Sequence, residues 1–244
     1  MKAIVSFAGA LLLACFAPLA HANFQISYQV GAGPIINCAN SGTDTLASCF
    51  AVPTVIDATS GLQITQLTGT SNSPGTASQA RQTGSVVDII NTNAVTLKIW
   101  LAAQDFTAPT TPPAIDYKTS LTIIPTTGIG SATLESCVDT SNGTAPPLGS
   151  FCSSSAATLN NATSYAGTTS LASNNESTIS SLSGTYSLSQ LLTLTLGAGS
   201  EVEVQTRQVL TPVPEPISIA LLGAVFLLTS RSILRKRKQA PQVS

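Results

Sequence analysis

The chain has 244 residues and a formal net charge of −1, with 9% of residues charged and 43% hydrophobic. Its single methionine (Met1) and single histidine (His21) lie within the first 22 residues, so the rest of the chain lacks both. That excludes Ser-His-Asp and Cys-His nucleophilic chemistry, and the common histidine zinc sites, from everything downstream.

The first element is a secretory signal, residues 1–22. Lys2 supplies the positive start, an apolar stretch runs from Ala3 to Phe16, Pro18 breaks it, and Ala20-His21-Ala22 presents small residues at −3 and −1. Signal peptidase is expected to cut between Ala22 and Asn23. A competing reading is a lipoprotein signal ending at Cys15, but Leu13 fits it poorly and the apolar run continues past the cysteine.

The exported body, 23–211, differs in charge from the whole. Between Asn23 and Val213 stand four basic residues (Arg81, Lys98, Lys118, Arg207) against ten acidic ones, a balance near −6. A body this acidic has no electrostatic footprint for nucleic acid. Its polar surface is supplied by Ser, Thr, Asn and Gln instead of charge, a composition more common outside cells than in the cytosol.

Alternation of apolar and polar residues predicts strands over Phe24–Val30, Leu62–Thr68, Val86–Ile90, Val95–Leu101 and Leu121–Ile124. Further along, Leu192, Leu194 and Leu196 alternate with threonines, and Val202 and Val204 with Glu201, Glu203 and Gln205. Gly197-Ala198-Gly199 between those two runs reads as a hairpin loop. Residues 153–183, dense in Ser, Thr, Asn and Ala, read as a long loop or insertion. The Pro-rich segment 107–114 either separates two small domains or crosses between sheets; we take the body as one domain. The expected fold is all-β, an antiparallel sandwich, followed by one C-terminal transmembrane helix.

Four cysteines remain after the signal. An even number in an exported chain predicts two disulfides, and the spacing suggests Cys38–Cys49 and Cys137–Cys152, each closing a loop of turn-forming residues. The alternative, a four-cysteine metal site, expects tight Cys-x2-4-Cys spacing that is absent.

No catalytic constellation, cofactor or metal site is predicted in the body. Carboxylate pairs are the remaining acid–base system; Glu201 and Glu203 share a strand face, a spacing that equally describes a solvated surface. Asp105 and Asp116 flank the Pro-rich segment and read as turn residues. Trp100, the only tryptophan, and Tyr117 form a possible glycan contact, weighed against a bulky Trp100 filling the second face of its sheet. Three Asn-x-Ser/Thr triplets, at Asn142, Asn161 and Asn175, are expected by chance in so Asn- and Thr-rich a chain.

The last element is apolar from Ile217 to Ser230; as a helix these fourteen residues rise about 21 Å, and counting on to Leu234 brings about 27 Å, close to a bilayer core. Arg231 snorkels toward the interface, and Arg235-Lys236-Arg237-Lys238 follows as a cluster held in the cytoplasm by the positive-inside rule. Before the helix, Pro214 and Pro216 flank Glu215 and hold the backbone extended.

A Pro-Glu-Pro triplet, an apolar helix (217–234) and a terminal basic cluster, in that order over 212–239, resemble the PEP-CTERM sorting signal of Gram-negative bacteria that make extracellular polysaccharide. The resemblance implies recognition by exosortase, a membrane transpeptidase, a transient inner-membrane anchor with the body in the periplasm, and transfer to the cell surface or matrix. The expected role is structural or adhesive and non-enzymatic. Self-association is plausible because few edge lysines block strand pairing. The alternative is a carbohydrate-binding module for extracellular polysaccharide, and the least favoured a carboxylate-dependent glycoside hydrolase.

Overall fold

The computed structural model describes residues 23–38, 46–50 and 52–214. The signal through Ala22, Glu215, Pro216, the helix 217–234 and the basic cluster lie outside the described residues. Those described form thirteen strands and no helix: β1 Phe24–Val30, β2 Ile36–Asn37, β3 Leu46–Phe50, β4 Thr54–Asp57, β5 Leu62–Ser71, β6 Ala80–Ile90, β7 Val95–Phe106, β8 Ile115–Thr127, β9 Ile129–Asp139, β10 Ser155–Ala166, β11 Leu171–Ile179, β12 Tyr186–Leu196 and β13 Glu201–Pro212. Two antiparallel sheets pack face to face. The six-stranded sheet runs β10-β9-β12-β7-β1-β2 and the seven-stranded sheet β11-β8-β13-β6-β5-β3, with β4 also pairing β5.

The alternation that predicts the strands also builds the core. From the six-stranded sheet Leu97, Ile99, Leu101, Leu134, Leu192, Leu194 and Leu196 point inward, and from the seven-stranded sheet Ile64, Leu67, Leu121, Ile123, Val202 and Val204 meet them in one continuous cluster. Gly69 and Gly84 stand opposite each other on β5 and β6. A Cβ on Gly69 would lie 2.5–2.8 Å from the Phe24 ring and Leu101, and one on Gly84 3.1 Å from Leu101, so at these glycines side chains of the opposite sheet fill the space a Cβ would need.

Part of the interior is polar. Gln82, Gln190, Gln208 and Ser136 are fully buried between the sheets. Gln208 Nε2 donates to the Tyr117 hydroxyl at 3.0 Å and to the Cys137 carbonyl at 2.7 Å. The Thr206 hydroxyl donates to Gln190 Oε1 at 2.8 Å.

Both sandwich edges are closed. On one side Cys38–Cys49 links the segment after β2 to β3, joining the two sheets. On the other, β10 and β11 are edge strands of opposite sheets; Asn161 donates to the Ser173 carbonyl at 2.9 Å and Asn175 to the Asn160 carbonyl at 2.7 Å. The second disulfide is Cys137–Cys152. Both pairings are those that the spacing suggests.

Three expectations are corrected here. Residues 153–183 are not a long loop: they carry β10 and β11. Their apolar signal is thin because β10 buries only Leu159, Asn161 and Tyr165, one of them polar. Gly197-Ala198-Gly199 is not a hairpin loop, because β12 belongs to the six-stranded sheet and β13 to the other. It is an arch between sheets, with Gly199 at φ +68° and the Asn91 amide donating to the Gly197 carbonyl at 2.8 Å. Both flanking strands bury their apolar face in the same core from opposite sides, which alternation alone cannot distinguish from a hairpin. Asp105 and Asp116 are not turn residues: Asp105 lies within β7, at a bulge, and Asp116 within β8. The Pro-rich segment 107–114 takes β7 of one sheet to β8 of the other, a crossover.

Candidate binding face

The outward positions of the two sheets have different fates. On the six-stranded sheet, residues 140–152 fold back over β7 and β1. Trp100 points outward from β7 but is only 6% exposed. It packs with Ala102 and Ala145, flanked by Ile35, Phe151 and Leu191. The cap is fastened at several points. The Ser27 hydroxyl donates to the Pro146 carbonyl. Asn142 Nδ2 donates to Asp105 Oδ1 at 2.8 Å, and the Asp105 N–H returns a bond to Asn142 Oδ1 at 2.9 Å. Asp105 takes φ +62° at a bulge in which residues 104 and 105 oppose one position of β12.

Asp139 organises the base of the cap. Its carboxylate accepts from the N–H and hydroxyl of Ser141 at 2.8 and 2.6 Å, from the N–H and hydroxyl of Ser153 at 3.1 and 3.2 Å, and from the Ser154 N–H at 3.2 Å. Burial by itself raises the carboxyl's pKa, but the bonds from Ser141, Ser153 and Ser154 outweigh it and hold the group below the usual carboxylate range.

Among the described residues nothing covers the outer face of the seven-stranded sheet. Register assigns its rows. Thr70, Thr83, Arg207, Ser120 and Asn174 stand side by side on β5, β6, β13, β8 and β11. The next row is Thr68, Ser85, Gln205, Thr122 and Ala172 on the same strands. Nine of these ten side chains carry a hydroxyl, amide or guanidinium group, and at ordinary strand spacing each row extends roughly 19 Å.

Two open grooves run along this face. One, of about 660 Å³, is lined by Lys118, Ser120, Asn174, Asn175, Glu176 and Arg207 among others. The second, of about 400 Å³, is lined by Thr68, Thr70, Thr83, Ser85, Thr122 and Gln205 and shares Ser120 and Arg207 with the first. Lys118 pairs with Asp116 at 3.2 Å and Glu176 at 3.5 Å. The hydrogen bond and charge of Asp116, with the charge of Glu176, raise its pKa.

Trp100 and Tyr117 do not form a glycan platform. Tyr117 is fully buried on the inner face of β8, on the opposite sheet from Trp100, and burial pushes its phenol pKa up. Trp100 fills the second face of its own sheet. Glu201 and Glu203 do lie on one outward face of β13, partly exposed, with Glu203 accepting from Gln205 at 2.9 Å. Among the described residues no three carboxylates or cysteines gather as metal ligands. Of the Asn-x-Ser/Thr triplets, Asn161 is 1% exposed, Asn142 is half-buried with its amide bonded to Asp105, and Asn175 is exposed with its amide bonded to the Asn160 carbonyl. Pro214 is exposed, two residues beyond the end of β13.

The rows of the open face escape sequence reasoning because each strand contributes only two or three unremarkable polar residues, and only register brings them together.

No family model and no curated protein matches the chain. Among solved structures it is similar to TmCBM61 in complex with β-1,4-galactotriose, with a TM-score of 0.31 and 6% identity over 58% of this chain and 85% of that one. It is also similar to the enzymatically active domain of bacteriophage CBA120 tailspike protein 4, with a TM-score of 0.28 and 10% identity over 75% of this chain and 19% of that one. Likeness at this level bears on neither ligand nor activity.

Proposed function

We propose that the chain is an exported protein of the cell surface or extracellular matrix, sorted through its PEP-CTERM-like tail, whose body adheres to polysaccharide without catalysis. The observation that carries the adhesive role is the open face of the seven-stranded sheet. Two adjoining rows of hydroxyl and amide groups line adjoining open grooves of about 660 and 400 Å³. Sugar hydroxyls pair with such groups as donors and acceptors at once, and a rigid sheet presents them without an ordering cost. Two disulfides are compatible with an oxidising, extracytoplasmic compartment.

The tail reading rests on its sequence. Its fit with the fold is that β13, paired on both sides, leads to an exposed Pro214 at the start of the Pro-Glu-Pro triplet.

The binding claim is tested by electrophoresis of the full-length chain, in neutral detergent, through gels containing the extracellular polysaccharide of the producing cells. Retardation that is lost in the Thr83→Ala/Thr122→Ala/Gln205→Ala variant supports the face. Retardation unchanged in that variant, or absent in the parent, overturns it. Mass spectrometry of the protein from those cells tests sorting: an intact C-terminus at Ser244 sinks the processing claim.

A further inference from the structure

Three of the four cations between Asn23 and Val213 stand on the open face. Val209 of β13 is paired with Arg81 of β6 on one side and Lys118 of β8 on the other, and Arg207 lies two residues along β13 on the same face. The fourth, Lys98, is on the six-stranded sheet. In a body with ten carboxylates against four cations, this grouping needs a physical account.

Ion pairing explains only part of it. Lys118 is paired with Asp116 and Glu176. Arg81 and Arg207 are exposed and, among the described residues, form no ion pair. Val209, between Arg81 and Lys118, is 8% exposed and gives the row a low apolar floor. Register places the two arginines beside this floor on neighbouring strands, and a guanidinium can bind a carboxylate through two parallel N–H bonds.

We infer that the open face selects acidic polysaccharide, with Arg81 and Arg207 receiving the carboxylates of uronate residues while the neighbouring Thr, Ser and Gln rows contact hydroxyls; this rests on the polysaccharide-binding reading above. The acidic balance of the body does not oppose it. At physiological ionic strength the Debye length is about 8 Å, so remote carboxylates are screened while the two arginines act in contact. On the face itself, Asp116 and Glu176 are engaged by Lys118, and Glu203 is two rows away from Arg207, with Gln205 between them and bonded to it. The same balance disfavours nucleic acid, which needs an extended array of cations.

The test compares polygalacturonate with its fully methyl-esterified form, the same backbone without charge, in affinity gels with the full-length chain. The expected result is preferential retention of the protein by the charged form. In Arg81→Gln/Arg207→Gln that retention falls about tenfold, the scale of one lost charge-assisted contact, while retention by the ester and thermal unfolding stay unchanged. Equal retention by both polymers, or preference for the ester, overturns the inference and leaves the adhesive reading standing. A charge preference that survives in the double variant overturns the site. Retention by neither polymer overturns the inference and counts against the adhesive reading as well. Displacement from polygalacturonate by single-stranded DNA at equal phosphate concentration would make the face a general polyanion site and overturn the uronate assignment.

Discussion

On the six-stranded sheet, the outward positions of β7 and β1 lie beneath a loop fastened by Cys137–Cys152; on the seven-stranded sheet, those of β6, β13 and β8 face solvent. The covered face holds the chain's only tryptophan, and the open face has no aromatic residue in its two central rows. An outward-facing tryptophan on a strand invites a sugar-stacking reading, yet here the ring anchors a lid. Without rings in those rows, the open face offers a partner hydrogen bonds and charge only. The contrast teaches that binding is assigned by what covers a face, not by the residue types that the face contains.

The contrast can be broken most severely at Trp100. Trp100→Ala removes the ring from beneath the cap and is expected to cost about 3 kcal/mol or more in denaturant unfolding, while retention by polysaccharide below the transition is unchanged. Loss of retention without loss of stability would move the binding site to the covered face.

Replacing Cys137 and Cys152 together by Ser frees the cap and is expected to cost about 3 kcal/mol, following the chain-entropy model for a loop of this length. Because Trp100 is the only tryptophan, its emission should move to longer wavelength as the loop opens. An unshifted spectrum would mean that the cap is held by its hydrogen bonds alone.

Acid probes the same cap. The Asp139 pKa is lowered in the folded state, so its contribution is fully present above the unfolded carboxylate value, about 3.9, and is lost as pH falls through the lower folded value. Stability of the parent should therefore drop more steeply below about pH 4 than that of Asp139→Asn, which at neutral pH starts about 2 kcal/mol lower. Parallel pH profiles would remove Asp139 as the organiser of the cap.

The smallest stability effects are expected on the open face. Glu176→Gln breaks one exposed pair with Lys118 and should change unfolding free energy by less than about 0.5 kcal/mol. Thr83→Ala/Thr122→Ala should be comparably silent in unfolding, since neither hydroxyl is buried, and still weaken retention by polysaccharide. Large destabilisation by either would show that this face also bears on the fold.

Much of the scaffold was legible in residue order. Strand β1 was expected at its observed bounds, and the cores of β5, β6, β7, β8, β12 and β13 announced themselves by alternation, because burying one face of a strand requires apolar residues at every second position. The disulfide pairing was also legible, since cysteines 11 and 15 residues apart close short loops at low entropic cost. The short strands β2, β3 and β4 were not, and neither were the longer β9, β10 and β11. The longer three bury small or polar residues such as Ala132, Ser136 and Asn161, the last compensated by a bond from Thr119 of β8 and another to the Ser173 carbonyl of β11.

What the chain itself determined was an acidic, histidine-free, alternating body between an expected export signal and an expected sorting tail. Periodicity and composition are local properties, and they survive without knowledge of contacts. Tertiary structure alone decided which sheet each strand joins, that Gly197–Gly199 arches between sheets, that Trp100 is roofed over, and that Arg81, Lys118 and Arg207 from three separate strands share one open surface. Those facts depend on register and on long-range pairing, in which residues more than a hundred positions apart become neighbours, and no window of sequence contains them.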